Sequence, residues 1–236
     1  MRRRNVQIDE VVREADCALA DIFQGLLQDV GARTKLSSND CMLAELAALM
    51  GCGGETAFRA RLTDALENGL LPETAREAVM QAAAYLGMGR ALPFVQAASE
   101  IFLSRGVQFA PEERNLRERA TRGEELQVQI FGEGMRGFHA SGDALSRPVN
   151  FLLSKNCFGD YYVREGLSLR ERELVTFCLL AAQGGCEAQL AGHIAGNQNV
   201  GNDTAYLGEV ILCILPWIGY PRSLNALTCL KNAKKS

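Results

Sequence analysis

The sequence predicts an all-α chain built from two tandem, pseudo-equivalent units. Three observations carry that expectation. Val/Ile/Thr-rich alternation of the strand type is nearly absent, while Ala, Leu, Glu and Arg dominate the periodic segments. Helix start and stop signals recur along the chain. The stretch Leu36–Leu92 also repeats, in weaker form, as Leu167–Leu224.

Taken in order, Asn5–Val30 reads as one amphipathic helix, with apolar positions Val11, Val12, Ala15, Ala18, Leu19, Ile22, Phe23 and Leu26. The first copy follows. Between the copies, the charged stretch Glu112–Glu125 predicts a helix continuing through Phe131, broken by Gly132, Gly134 and Gly137. In the second copy Ser168 and Glu171 match a capping box before the apolar run Leu174–Ala182. Gly184-Gly185 should end that helix, and a new one should start near Cys186 and stop at Gly201. Asn202 or Asp203 can cap the next, running to about Leu215, and Pro221 fits the first turn of the last.

The repeat holds one register. Leu36-Ser37 pairs with Leu167-Ser168; past the glycines the offset slips by one residue. Gly53 then pairs with Gly185, Gly69 with Gly201, Glu77 with Glu209, Gly87 with Gly219 and Arg90 with Arg222, and Tyr85 faces Trp217. Matching glycines at helix ends imply matching helix lengths, hence the same fold unit twice. We place the units at 1–95 and 96–236.

A hydrophobic fraction of 47% is ample for a buried core, and a net charge of −3 argues against a nucleic-acid surface. The basic start Met1-Arg2-Arg3-Arg4 lacks the apolar region of a signal peptide, and no run of about 18 apolar residues suggests a membrane span. None of the eight cysteines forms Cys-x-x-Cys, so neither a zinc ribbon nor a dithiol motif is present. A reduced, cytoplasmic setting is expected.

Only the second copy carries a reactive-looking set: Glu173, Cys186 and His193, where the first has Met42, Gly54 and Arg61. On a helix, Cys186, Gln189, Leu190 and His193 share one face. Cys186 would sit in the first turn, where backbone N–H groups favour a thiolate. His193 lies about 10 Å further along the axis, so direct Cys–His contact is not expected. A histidine is the usual proton carrier near neutrality. If Glu173 is drawn inward it needs a partner, with Arg172, Arg222 and His193 as candidates. Arg164, Arg170, Arg172 and Arg222 are candidates for holding an anionic substrate.

Leu167–Leu174, Cys186-Glu187-Ala188-Gln189-Leu190-Ala191-Gly192-His193-Ile194, Asn199-Val200-Gly201 and the ending Glu209–Ala226 resemble the carboxymuconolactone decarboxylase family. Cys157-Phe158-Gly159-Asp160 is similar to its decarboxylase branch. The resemblance implies an alkylhydroperoxidase D-like helical bundle, assembling as a homo-oligomer (a trimer or hexamer), acting without a cofactor or metal on a small carboxylate or lactone. One implied chemistry is decarboxylation of a carboxylated butenolide, with His193 as general acid, Glu173 orienting it, and Arg172 or Arg222 anchoring the carboxylate. Gln189 and Trp217 join them as candidate substrate contacts. The other is a peroxidase relay through Glu173, Cys186 and His193, but Gln189 stands where that relay has its second cysteine. The lyase is the favoured expectation. A peroxidase using Cys186 and a non-catalytic oligomeric binding protein are the alternatives.

Overall fold

The computed structural model describes residues 6–111 and 118–233; the basic start and the beginning of the charged connector lie outside them. Among the described residues the regular structure is entirely helical. The first unit comprises α1 (Val6–Ala15), α2 (Cys17–Gly31), α3 (Ser38–Cys52), α4 (Glu55–Glu67), α5 (Pro72–Leu86) and α6 (Met88–Ser104). The second comprises α7 (Arg119–Phe131), α8 (Arg147–Leu152), a π-helix (Leu153–Tyr162), α9 (Leu169–Gln183), α10 (Glu187–Asn199) and α11 (Thr204–Ala233).

Local signals explain most boundaries. Ser37 caps α3 by accepting from the Asp40 N–H, and Ser168 and Glu171 form the expected capping box on α9. Asp203 accepts from Tyr206 N–H at the start of α11. Gly219 breaks α11 at φ 77°, and its repeat partner Gly87, at φ 75°, separates α5 from α6. Both lie in the left-handed region that favours glycine, so the two halves of α11 reproduce the α5–α6 pair.

The packing has the same twofold logic. Helices α3 and α9 lie against each other at the centre, α5 crosses onto α9, and α11 crosses onto α3. Both central helices are buried on nearly every face, including Leu43, Leu46 and Ala47 of α3 and Leu174, Phe177 and Leu179 of α9. Polar groups on these helices therefore need partners from the protein itself.

Several expectations are corrected. The leading helix is two helices, because Asp16 takes an extended conformation (φ −159°, ψ 112°) and its side chain caps α2 through Leu19 N–H. Helix α6 runs unbroken through residues 95 and 96, where the two units are placed end to end. Helix α11 is long and apolar enough to cross a membrane by length and composition. The helix breaks at Gly219, and its packing on α2, α3, α9 and α10 buries Leu207, Val210, Ile211, Ile214 and Ile218 in the core.

Candidate functional site

Glu173 belongs to the second turn of α9 and is fully buried. Its Oε2 lies 2.8 Å from His193 Nδ1, and its Oε1 accepts from the Tyr162 hydroxyl at 2.9 Å. The contact is possible because α10 approaches α9 through Gly196. A Cβ there would fall 2.7 Å from Glu173 Oε2 and 2.7 Å from the Phe131 ring. Asn197, one residue on and buried, donates to Glu173 O at 2.9 Å and His193 O at 2.7 Å. Asn202 in turn donates to Asn197 Oδ1 and Arg170 O. This amide pair holds α9 and α10 in the register that joins carboxylate to imidazole.

The His193 ring sits edge-on between Tyr85 and Phe131, with centroids 5.5 and 5.3 Å away. Its side chain keeps 13% of its accessible surface. With Nδ1 held by Glu173, Nε2 is the nitrogen left without a partner among the described residues. A carboxylate on Nδ1 holds the Nδ1–H tautomer and leaves Nε2 as the nitrogen that can take up or give a proton.

Behind Glu173 is a hydroxyl network. Tyr162 lies 2.8 Å from both the Tyr85 hydroxyl and Thr176 Oγ1, and Gln81 Nε2 donates to Thr176 Oγ1 at 2.8 Å. Burial and the nearby Glu173 charge push both tyrosine hydroxyls well above their ordinary range, so they remain protonated. Cys157, also on the π-helix, is buried and pushed up to about 12, chiefly by burial, so it stays a neutral thiol. Extended π-helices are uncommon and frequent at functional sites, and here one delivers Tyr162 and Cys157 together.

The other sequence-predicted residues occupy different surroundings. Arg172 is fully buried and donates to Gln81 Oε1 at 2.9 Å, Glu77 Oε2 at 3.1 Å and Arg164 O at 2.7 Å. Burial pulls its pKa below the usual arginine value. Arg164 grips the same Glu77 with two nitrogens. A substrate carboxylate would have to displace Glu77 to reach Arg172, so this cluster fastens the two units together. Arg170 pairs with Asp40 and stacks on Tyr206.

Cys186 is the residue that caps α10, not part of its first turn, and its thiol bonds Leu180 O and Gln183 at 3.4 Å instead of helix N–H groups. It opens into a small pocket with Leu180, Gly184, Leu190, Arg222 and Asn225, and makes no hydrogen bond to His193 or Glu173. The half-buried Arg222 has no ion-pair or hydrogen-bond partner among the described residues. Gln189 is exposed. Trp217 packs edge-on against Phe23.

Sequence reasoning singled out Glu173 and His193, which the fold brings together, but not their neighbours Tyr162, Thr176, Tyr85, Gln81, Gly196 and Asn197. Asn197 had one signal, its place one turn beyond His193 on the same face. The hydroxyls had none, because their relevance depends on helices distant in sequence.

Comparison with curated proteins gives no match. A family model matches residues 18–100 and 152–232, more than half of the chain and one segment in each unit. With a duplicated helical fold and the Glu173–His193 pair in the second unit, the chain belongs to the carboxymuconolactone decarboxylase family.

Proposed function

We propose that the protein is a cofactor-free carboxy-lyase acting on a small carboxylated lactone or a related acid. The observation carrying this reading is the 2.8 Å contact between Glu173 and His193 Nδ1, which leaves Nε2 to face chemistry. The C–C bond to the departing carboxylate breaks, CO₂ leaves, and the electron pair enters the conjugated lactone carbonyl as a dienolate. His193 Nε2–H then protonates carbon, while Glu173 supports the imidazolium. Overall, one proton is consumed and one CO₂ released. The developing oxyanion needs donors aimed at it. Arg172 is enclosed by Glu77, Gln81 and the Arg164 carbonyl, which leaves Arg222 of the neighbouring Cys186 pocket as the candidate anchor, for a substrate long enough to reach from it to His193.

Homo-oligomeric assembly belongs to the same proposal. The repeat-related pairs Met88 and Leu92, and Tyr220 and Leu224, are all exposed, at 56%, 46%, 61% and 60%. Two like apolar patches on one chain suit a closed ring of copies.

The test is CO₂ release from a carboxylated butenolide by wild type and His193→Ala, with assembly checked by gel filtration. Loss of turnover in an intact oligomer is expected; retained turnover would rule out His193 as the acid.

A thiol-dependent peroxidase is the second reading, favoured by the half-buried Cys186 thiol sharing a pocket with Arg222. Gln189 supplies no resolving thiol and Cys178 is buried with its thiol pushed far up; half-buried Cys229, near enough to Cys186 for their charges to interact, or an external thiol would have to resolve. Peroxide consumption that vanishes in Cys186→Ser would support it. Close contact of His193 with Glu173 counts against a purely non-catalytic binding protein.

A further inference from the structure

The first unit has no titrating histidine or inward carboxylate of its own at the repeat-related positions, yet it reaches the second unit's site. Tyr85 sits near the end of α5 and touches the site twice. Its ring meets the His193 imidazole edge-on at 5.5 Å, and its hydroxyl is 2.8 Å from that of Tyr162.

Counting protons assigns the direction of the network. Tyr162 has one hydroxyl proton, and it goes to Glu173 Oε1. Tyr162 must therefore accept from both neighbours, so Tyr85 and Thr176 donate. Thr176, having given its proton, accepts from Gln81 Nε2. Every donor in the chain points towards Glu173, and two of them, Tyr85 and Gln81, come from α5 of the first unit. Each hydrogen bond in such a chain strengthens the next by polarisation.

We infer that Tyr85 is a positioning residue of the second unit's site: through Tyr162 it directs hydroxyl donors at Glu173 and so sets how tightly that carboxylate holds the His193 proton. Among the described residues, the titratable groups around the pair include Tyr85 of α5, Cys157 and Tyr162 of the π-helix, and Arg172 of α9; α7 contributes Ile130 and Phe131. Tyr85, Tyr162 and Cys157 all stay neutral across the physiological range, so the donor chain keeps its hydrogens there. Donors aimed at a carboxylate share its negative charge. Removing one leaves more of that charge for the imidazolium, and the pair keeps its proton to higher pH.

Tyr85 acquires a catalytic consequence only if His193 is the proton donor proposed above, so the histidine is read directly as well as through turnover. The chain has two histidines, and His139, in a separate turn, serves as the internal control. Imidazole NMR titration of the full chain should place the His193 midpoint about one pH unit higher in Tyr162→Phe, and about half as far in Tyr85→Phe, with His139 unmoved. The limb of the lyase pH profile that reports loss of the acid should move upward by the same amounts. If Tyr85→Phe does not fold, Thr176→Val removes the other hydroxyl feeding Tyr162 and should give the same direction of shift.

A His193 midpoint unchanged in folded Tyr85→Phe, or moved together with His139, overturns the assignment. Absence of CO₂ release from the wild type would overturn the lyase reading instead, and the titration would still decide the role of Tyr85.

Discussion

The same place in the two repeats is built in opposite ways. In the second unit His193 faces one carboxylate, Glu173, backed by neutral hydroxyls. In the first, the matching residue is Arg61, buried and paired with both Glu45 and Asp64, while Met42 stands where Glu173 would be. Arginine remains charged at any accessible pH, and two carboxylates enclose it, so that cluster cannot exchange protons. A histidine with one carboxylate and a free Nε2 can. Tyr85 and Trp217 differ in the same sense: the tyrosine hydroxyl joins the network, whereas the buried indole N–H has no hydrogen-bond partner among the described residues and its ring packs on Phe23. Duplication supplied two scaffolds; one position became a strut and the other a proton site.

The contrast can be broken at either end. Glu173→Gln keeps the shape but removes the charge that supports the imidazolium, and should lower lyase turnover by about 10²–10⁴-fold. Steady-state kinetics would check this, and a loss below tenfold would separate Glu173 from the chemistry. In the first unit, Arg61→Met leaves the half-buried Glu45 and Asp64 without the buried cation they share. Breaking one side of a buried ion pair destabilises by about 3–5 kcal/mol, read from urea unfolding; a loss under about 1 kcal/mol would mean that Arg61 is not the strut described here.

Gly196→Ala tests the close approach that creates the Glu173–His193 contact. Overpacking there should destabilise by about 1–3 kcal/mol and lower turnover, with the imidazole titration of His193 altered; wild-type values for all three would show that α10 can give way. The smallest effect is expected far from both sites. Asp16→Ala removes the α2 cap and should cost about 1 kcal/mol, with the His193 titration unchanged. A larger effect would mean that the α1–α2 corner supports more than its own helix.

The helices of this chain were largely legible because their signals are local. Ser168 with Glu171, Gly184, Gly219 and Pro221 each act within a turn or two. The leading helix was misread for the same reason: Asp16 interrupts an apolar period that continues on both sides, and periodicity alone cannot register the break. The site was legible in part. Glu173 and His193 stand out as ionisable residues at helix-compatible spacing, but Arg172, a candidate for holding an anionic substrate, is fully buried and already paired. Nothing near Arg172 in sequence indicates that Gln81, 91 positions away, will bond it.

The sequence by itself determined the duplicated helical units, their lengths and turns, and the family, because caps, positive-φ glycines and repeat register are properties of short segments. Only the tertiary structure decided which ionisable groups meet. The crossing of α5 onto α9 brings Tyr85 and Gln81 to Glu173 and buries Arg172, and the approach at Gly196 closes the carboxylate–imidazole contact. Those partnerships arise from packing between distant segments, where a buried charge must find whichever donors the fold places beside it.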